Sequence, residues 1–140
     1  MKLISLVFSF RNEEKNLEEL VNRVTTALQK VNNYSYELIF VNDSSVDSSE
    51  SILENLQKKF PIKIINMTRN FGIAPCVLAG FRESKGDCII YMDSDLQDPP
   101  ELIPELVKKY EEGNDIVHTK RTKRLGESKI KLWLTRLAYL

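Results

Sequence analysis

The chain has 140 residues, enough for one domain with a real core, and its 42% hydrophobic and 29% charged residues are ordinary for a soluble globular protein. Lys plus Arg and Asp plus Glu both number 20, and the resulting formal net charge of zero argues against a nucleic-acid binder, which carries a basic excess or stripe. The apolar run at residues 3–8 is too short for export or membrane spanning, and Cys76 and Cys88 lack metal-ligand spacing and read as reduced core thiols of a reducing compartment.

Residues 3–9 are predicted as the first strand. Leu17, Leu20, Val21, Val24, Leu28 and Val31 then fall at the three-and-four spacing of one helix face. Asn12 is the expected N-cap of that helix, with Glu13 and Glu14 in its first turn. A second strand is expected at 37–41. The following helix starts near Ser48, turns Ile52, Leu53, Leu56 and Phe60 inward, and has a capping-box-like opening from Asp47 and Glu50. A strand at 62–67, a helix at 74–84 and an almost wholly apolar strand at 87–92 follow. Pro99-Pro100-Glu101 opens a helix to about residue 112, with Asp98 as N-cap and Pro99 in the first turn. A fifth strand is expected at 115–119, and His118, the one histidine, reads as core or surface filler within it.

This alternation predicts an α/β fold: a mostly parallel, Rossmann-like sheet with helices on both faces. Such sheets bind ligands beyond the carboxyl ends of their strands. Polar clusters follow the predicted strands at Arg11-Asn12, Asn42-Asp43-Ser44-Ser45, Thr68-Arg69-Asn70 and Asp93-Ser94-Asp95, so the topology gathers them on one rim.

Asp93-Ser94-Asp95 is the sharpest of these. Residues two apart in an extended segment project to one side, so both carboxylates can face one point. Two such charges about 4 Å apart would repel by roughly 4 kcal/mol at an effective dielectric near 20. A divalent cation removes that repulsion, hard oxygens suit Mg²⁺ or Mn²⁺, and Gln97 can add a third oxygen. The bland alternative is a solvated acidic turn. The glycines form neither a G-x-G-x-x-G nor a G-x-x-x-x-G-K pattern, which disfavours dinucleotide oxidoreductases and P-loop nucleotidases. Asp43 can accept hydrogen bonds from a base or ribose, or form an Asx-turn ahead of a helix; Arg69 can meet a phosphate or make a surface ion pair.

At this point the residues carry a resemblance. The run Met92-Asp93-Ser94-Asp95-Leu96-Gln97-Asp98-Pro99-Pro100-Glu101 resembles the M-D-[AS]-D-L-Q-D-P-P-E signature of family-two inverting glycosyltransferases, most of all the polyprenyl-phosphate (dolichol- or undecaprenyl-phosphate) sugar synthases. Asn12-Glu13-Glu14 matches the N-E-E opening, residues 41–47 resemble V-D-D-G-S-x-D, and Arg69-Asn70-Phe71-Gly72 resembles R-N-x-G. The chain departs at Ser9, where the family usually has Pro, and at Arg11, where Tyr is common. It departs again at Asn42, in place of the first acid of the D-D pair, and at Ser44 and Ser48, where glycines are common.

The resemblance implies a GT-A fold and metal-dependent transfer of a sugar from a UDP- or GDP-sugar to an acceptor, with inversion. It implies a cation, Mg²⁺ or Mn²⁺, on Asp93, Asp95 and Gln97, and a donor site involving Asn12, Glu14, Asp43, Arg69, Asp93 and Arg121. The acceptor is expected to be a lipid phosphate such as a polyprenyl phosphate, or a glycan; no nucleic acid is expected, and a homo-oligomer stays open. Residues 1–120 are expected to form the nucleotide-sugar-binding core. Residues 121–140, basic and then apolar with no stop signal, read as the start of an acceptor or membrane-associated part, with Trp133 and Leu134 packing or touching a membrane surface. The chain thus reads as cut short, its general base beyond Leu140 and the full protein at the cytoplasmic membrane face. Two other classes compete: a donor-binding domain without turnover, and an aspartate-based phosphotransferase, in which the Asp-x-Asp follows the first strand rather than the fourth.

Overall fold

The side chains of the first strand, β1 (Lys2–Phe10), alternate between two hydrophobic layers, and that alternation organises the fold. The structure is a computed structural model in which residues 1–120 are described. After β1 come α1 (Leu17–Leu28), β2 (Tyr34–Asn42), α2 (Ser49–Gln57), β3 (Ile62–Asn66), α3 (Ile73–Glu83) and β4 (Cys88–Asp93). A 3₁₀ turn (Pro100–Leu102) then leads into α4 (Ile103–Glu111). Among the described residues the strands form one parallel sheet in the order β3-β2-β1-β4.

Ile4, Leu6, Phe8 and Phe10 of β1 face a core shared with Leu38 and Phe40 of β2, the apolar stripe of α1, Leu53 of α2, and Ile103 and Val107 of α4. Phe8 and Phe40 stack at the centre, their ring centroids 4.7 Å apart. Burying one such side chain stabilises the fold by about 1.5–3 kcal/mol. The opposite face carries Val7, Ile39 and Val41, covered by α3 through Cys76. The helix approaches so closely there that a Cβ on Gly80 would run into the Val7 side chain. Helices thus cover both faces, as the alternation predicts.

Local starts and stops differ from expectation. Helix α1 begins at Leu17, with Asn16 at its N-cap and Glu18 and Glu19 in the first turn; Asn12 is not its cap. The backbone of Asn12 lies in the left-handed region (φ 57°), and its Oδ1 accepts from the Val46 N–H at 2.9 Å, so that side chain is committed to another loop. No capping box forms at α2. Asp47 accepts from the Ser49 N–H at 3.0 Å, whereas Glu50 accepts from the Asn66 side chain instead of reaching back to the cap. Pro100, not Pro99, opens the 3₁₀ turn, because Pro99 is extended (ψ 120°) and itself takes the place expected for Asp98.

The fifth strand is absent: residues 115–119 have no regular structure, and Ile116 is 75% exposed. A strand requires a hydrogen-bonded neighbour, and β4 pairs only with β1 among the described residues. His118 is exposed rather than in a strand.

Candidate functional site

Strands β1, β2 and β4 end together, with Ser9 opposite Asp93 and Phe10 opposite Asn42 in the ladder. Beyond those ends opens a cleft of about 260 Å³ whose lining includes Arg11, Glu13, Asp43, Cys76, Asp93 and Asp95. Segments distant in sequence therefore meet where parallel α/β sheets place their ligands.

Asp93 closes β4 and Asp95 lies in the turn after it, so the pair is not presented by a continuous strand. The turn itself brings Asp95 to the cleft. The buried Ser94 hydroxyl donates to the Ser9 carbonyl at 2.9 Å, and Leu96 takes a positive φ of 61°. Asp95 Oδ1 accepts from the Gln97 N–H at 3.0 Å, an Asx-turn that orients the carboxylate. Asp93 Oδ1 accepts from the Tyr91 hydroxyl at 2.7 Å. In each carboxylate the bond engages Oδ1. Hard carboxylate donors in an open cleft fit Mg²⁺ or Mn²⁺, which retain positions for water or phosphate. Among the described residues no three His, Cys, Asp or Glu side chains form a closed metal cage. Burial, reinforced by the charge of Asp93, pushes the Tyr91 phenol up to about 12 even though its hydrogen bond with Ser9 acts the other way, so it remains a proton donor at neutral pH.

Asp43 lies across the cleft and is 7% exposed. Its Oδ1 accepts from the Phe71 N–H at 2.7 Å and its Oδ2 from the Gly72 N–H at 3.0 Å. Burial alone would raise its pKa. The two backbone donors, the Cys76 thiol and the charge of Arg11 outweigh burial and hold it below the usual carboxylate value. In turn, burial and the Asp43 charge push the Cys76 thiol up to about 11. Gly72, with φ 87°, supplies the left-handed step that lets its N–H turn toward Asp43. Asp43 therefore ties the β3–α3 loop to β2. The bond within its own loop is made by Asn42, whose Oδ1 accepts from the Ser45 N–H at 2.8 Å.

Asn12 and Glu14 join two neighbouring loops. The Asn12 N–H donates to Ser45 Oγ at 3.0 Å, and Glu14 Oε2 accepts from the Ser48 N–H at 3.0 Å. Ser44, where the family favours glycine, has a positive φ of 61°. Arg69 is exposed and lies over the Phe71 ring, 4.7 Å from its centroid, outside the cleft lining. The Gln97 side chain is exposed and not part of that lining, and Arg121 lies outside the described residues. The sequence placed Arg11 on the rim by its position directly after β1, and the cleft lining includes it. Glu13 and Cys76 were not among the expected site residues, and nothing local marked Cys76.

A larger recess, about 430 Å³, lies between α1 and the 3₁₀ turn around Arg23 and Glu101. Arg23 grips Glu101 there with two bonds of 2.9 and 2.8 Å. The Arg23 hydrogen bond takes the Glu101 carboxyl down to about 2. This recess gathers none of the rim clusters, so the smaller cleft is the candidate site.

A parallel sheet covered by helices on both faces in this arrangement is the GT-A glycosyltransferase fold. S. aureus TarS in complex with UDP-GlcNAc shares it, with a TM-score of 0.73 and 24% identity over 91% of this chain and 38% of that one. So does a mannosyltransferase from Pyrobaculum calidifontis in complex with GDP-Man and Mn²⁺, with a TM-score of 0.64 and 18% identity over 75% of this chain and 31% of that one. The chain belongs to Glycosyl transferase family 2, which matches residues 5–139. It is 38% identical, over 93% of its length, to a dolichol-phosphate mannosyltransferase from Pyrococcus furiosus, of which it covers 36%. The chain spans less than half the length of the curated relatives it matches.

Proposed function

We propose that this chain provides the donor-binding part of an inverting, metal-dependent glycosyltransferase that moves a sugar from a UDP- or GDP-sugar onto a polyprenyl phosphate. The observation that supports it most is the convergence of Asp93 and Asp95 with Asp43 and Arg11 on one cleft beyond the parallel strands. In this reading Asp93 and Asp95 hold the cation, with Gln97 as an additional oxygen. When bound, the cation, Mg²⁺ or Mn²⁺, offsets the charge that develops on the departing nucleotide diphosphate.

The chain's own residues build the surroundings. Asp43 holds the Phe71-Gly72 loop at the nucleotide end, and Asn12 and Glu14 hold the loop at 43–48 that flanks it. Arg11 supplies a positive charge facing the same cleft; Arg69 and Arg121 are the remaining proposed phosphate contacts. A phosphate acceptor arrives already ionised, so inversion there makes little demand on a general base. In this proposal the whole protein works at a cytoplasmic membrane face, a reading supported by relatives named for lipid-phosphate acceptors. Among the described residues no helix is long and apolar enough to cross a membrane.

A thermal-shift panel tests the reading. UDP, GDP and their sugars are added with and without Mn²⁺. The matching nucleotide at about 100 times its dissociation constant adds about 2.7 kcal/mol of apparent stability, and only when Mn²⁺ is present. Equal shifts without metal, or no shift with any nucleotide, count against it.

A further inference from the structure

We propose that Tyr91, backed by Ser9, is a positioning residue that aims the Asp93 carboxylate at the cation. The inference rests on the glycosyltransferase reading above and extends it to a residue outside the acidic signature. Tyr91 and Asp93 are two apart on β4 and share one face of the sheet. That face is the one under α3, where the half-buried Tyr91 ring packs against the Val7, Ile39, Val41 and Cys76 cluster. Packing fixes the ring, and the fixed ring carries its hydroxyl to Asp93 Oδ1 at 2.7 Å.

Ser9 completes the arrangement. It sits opposite Asp93 in the ladder, and its Oγ lies 3.2 Å from the Tyr91 hydroxyl. A phenol has one proton, and here it goes to the carboxylate, so Ser9 donates to the Tyr91 oxygen. The Ser9 carbonyl also accepts from Ser94 Oγ, the residue between the two acids. One β1 residue thus braces the acidic turn by its main chain and, through Tyr91, by its side chain. A carboxylate held at one oxygen loses rotational freedom before a cation arrives and presents the other oxygen in a set direction. Such outer partners of metal ligands are worth about 10–100-fold in metal affinity.

Mn²⁺ binding, followed by the electron paramagnetic resonance of free Mn²⁺, provides the test, alone and with UDP or GDP. Tyr91→Phe keeps the packed ring and removes only the hydroxyl. It should leave the melting temperature of the metal-free protein unchanged while weakening Mn²⁺ about 10–100-fold. Ser9→Ala should weaken Mn²⁺ by a smaller factor, again with an unchanged melt. A change confined to metal affinity is something a merely structural tyrosine would not produce. If both variants bind Mn²⁺ like the wild type, whose binding is lost in Asp93→Asn, the positioning role is wrong and the glycosyltransferase reading stands. If the wild type itself binds no Mn²⁺ under any of these conditions, that reading falls and this inference falls with it.

Discussion

Asp43 shows how a residue read as a ligand contact can have its hydrogen-bonding capacity committed elsewhere. Each of its oxygens meets a backbone N–H of the β3–α3 loop, a pairing made across 28 and 29 residues of sequence. Asp43→Asn keeps the shape but turns an amide N–H₂ toward one of those donors, and leaving a buried donor unsatisfied costs about 1–3 kcal/mol. Denaturant titration at neutral pH should read that loss. The folded-state pKa of Asp43 is depressed below its ordinary 3.8. The stability it confers is therefore fully present above about 3.8 and lost as pH falls through the lower folded value. Asp43→Asn should flatten that acid limb, and equal acid sensitivity in wild type and variant would contradict the assignment. The acidic pair was legible in the sequence because two-residue spacing after a buried strand is a local signal. The Asp43 bonds and the Tyr91–Ser9 contact were not, because they depend on which loops and strands become neighbours in space.

At the scale of elements, short apolar runs, the three-and-four spacing and the Pro-Pro-Glu opening were enough to locate β1 to β4 and the four helices. Helix boundaries were less legible. Asn12 and Glu50 have the chemistry of caps, yet their side chains bond to other segments, and Asp47 divides its carboxylate between the Ser49 and Glu14 N–H groups; competition of that kind is invisible to local propensity. The expected strand at 115–119 failed because apolar residues alone do not supply a ladder partner. Gly80 carries an element-level prediction. Gly80→Val forces branched atoms into Val7 at the α3–β1 contact, and overpacking of this kind costs about 1–3 kcal/mol. A lower urea midpoint at an unchanged slope is the expected result.

The Arg23–Glu101 pair, which ties α1 to the 3₁₀ turn following the acidic loop, carries another. Its carboxyl titrates at about 2 in the fold against an ordinary 4.5, so its contribution is present above 4.5 and fades as pH falls from there toward 2. The Arg23 and Glu101 side chains are 32% and 51% exposed, so after solvent screening the pair is worth at most about 1 kcal/mol. Arg23→Gln should lower the melting temperature slightly at pH 7 and have almost no effect near pH 2.

For the whole molecule, the order β3-β2-β1-β4 explains why clusters from four parts of the chain share one edge. The two central strands, β1 and β2, bring Ser9, Arg11 and Asp43 to the middle of that edge, and β4 brings the acids beside them. The fold class could be read from alternation alone, and the ten-residue signature narrowed it to a family. The departures at Ser9 and Arg11 gain a physical sense only in the assembled cleft, where the Ser9 hydroxyl meets that of Tyr91 and Arg11 places a positive charge near Asp43.

The central claim is that Asp93 and Asp95 bind a nucleotide diphosphate through a divalent cation. Calorimetric titration of the wild type and the Asp93→Asn, Asp95→Asn double variant with UDP and GDP, with Mn²⁺ or with a chelator, tests it most directly. The account predicts that one nucleotide binds the wild type only with Mn²⁺, and that the double variant binds it at least about 100-fold more weakly, about 2.8 kcal/mol. Equal affinity in the chelator, or in the double variant, would contradict it.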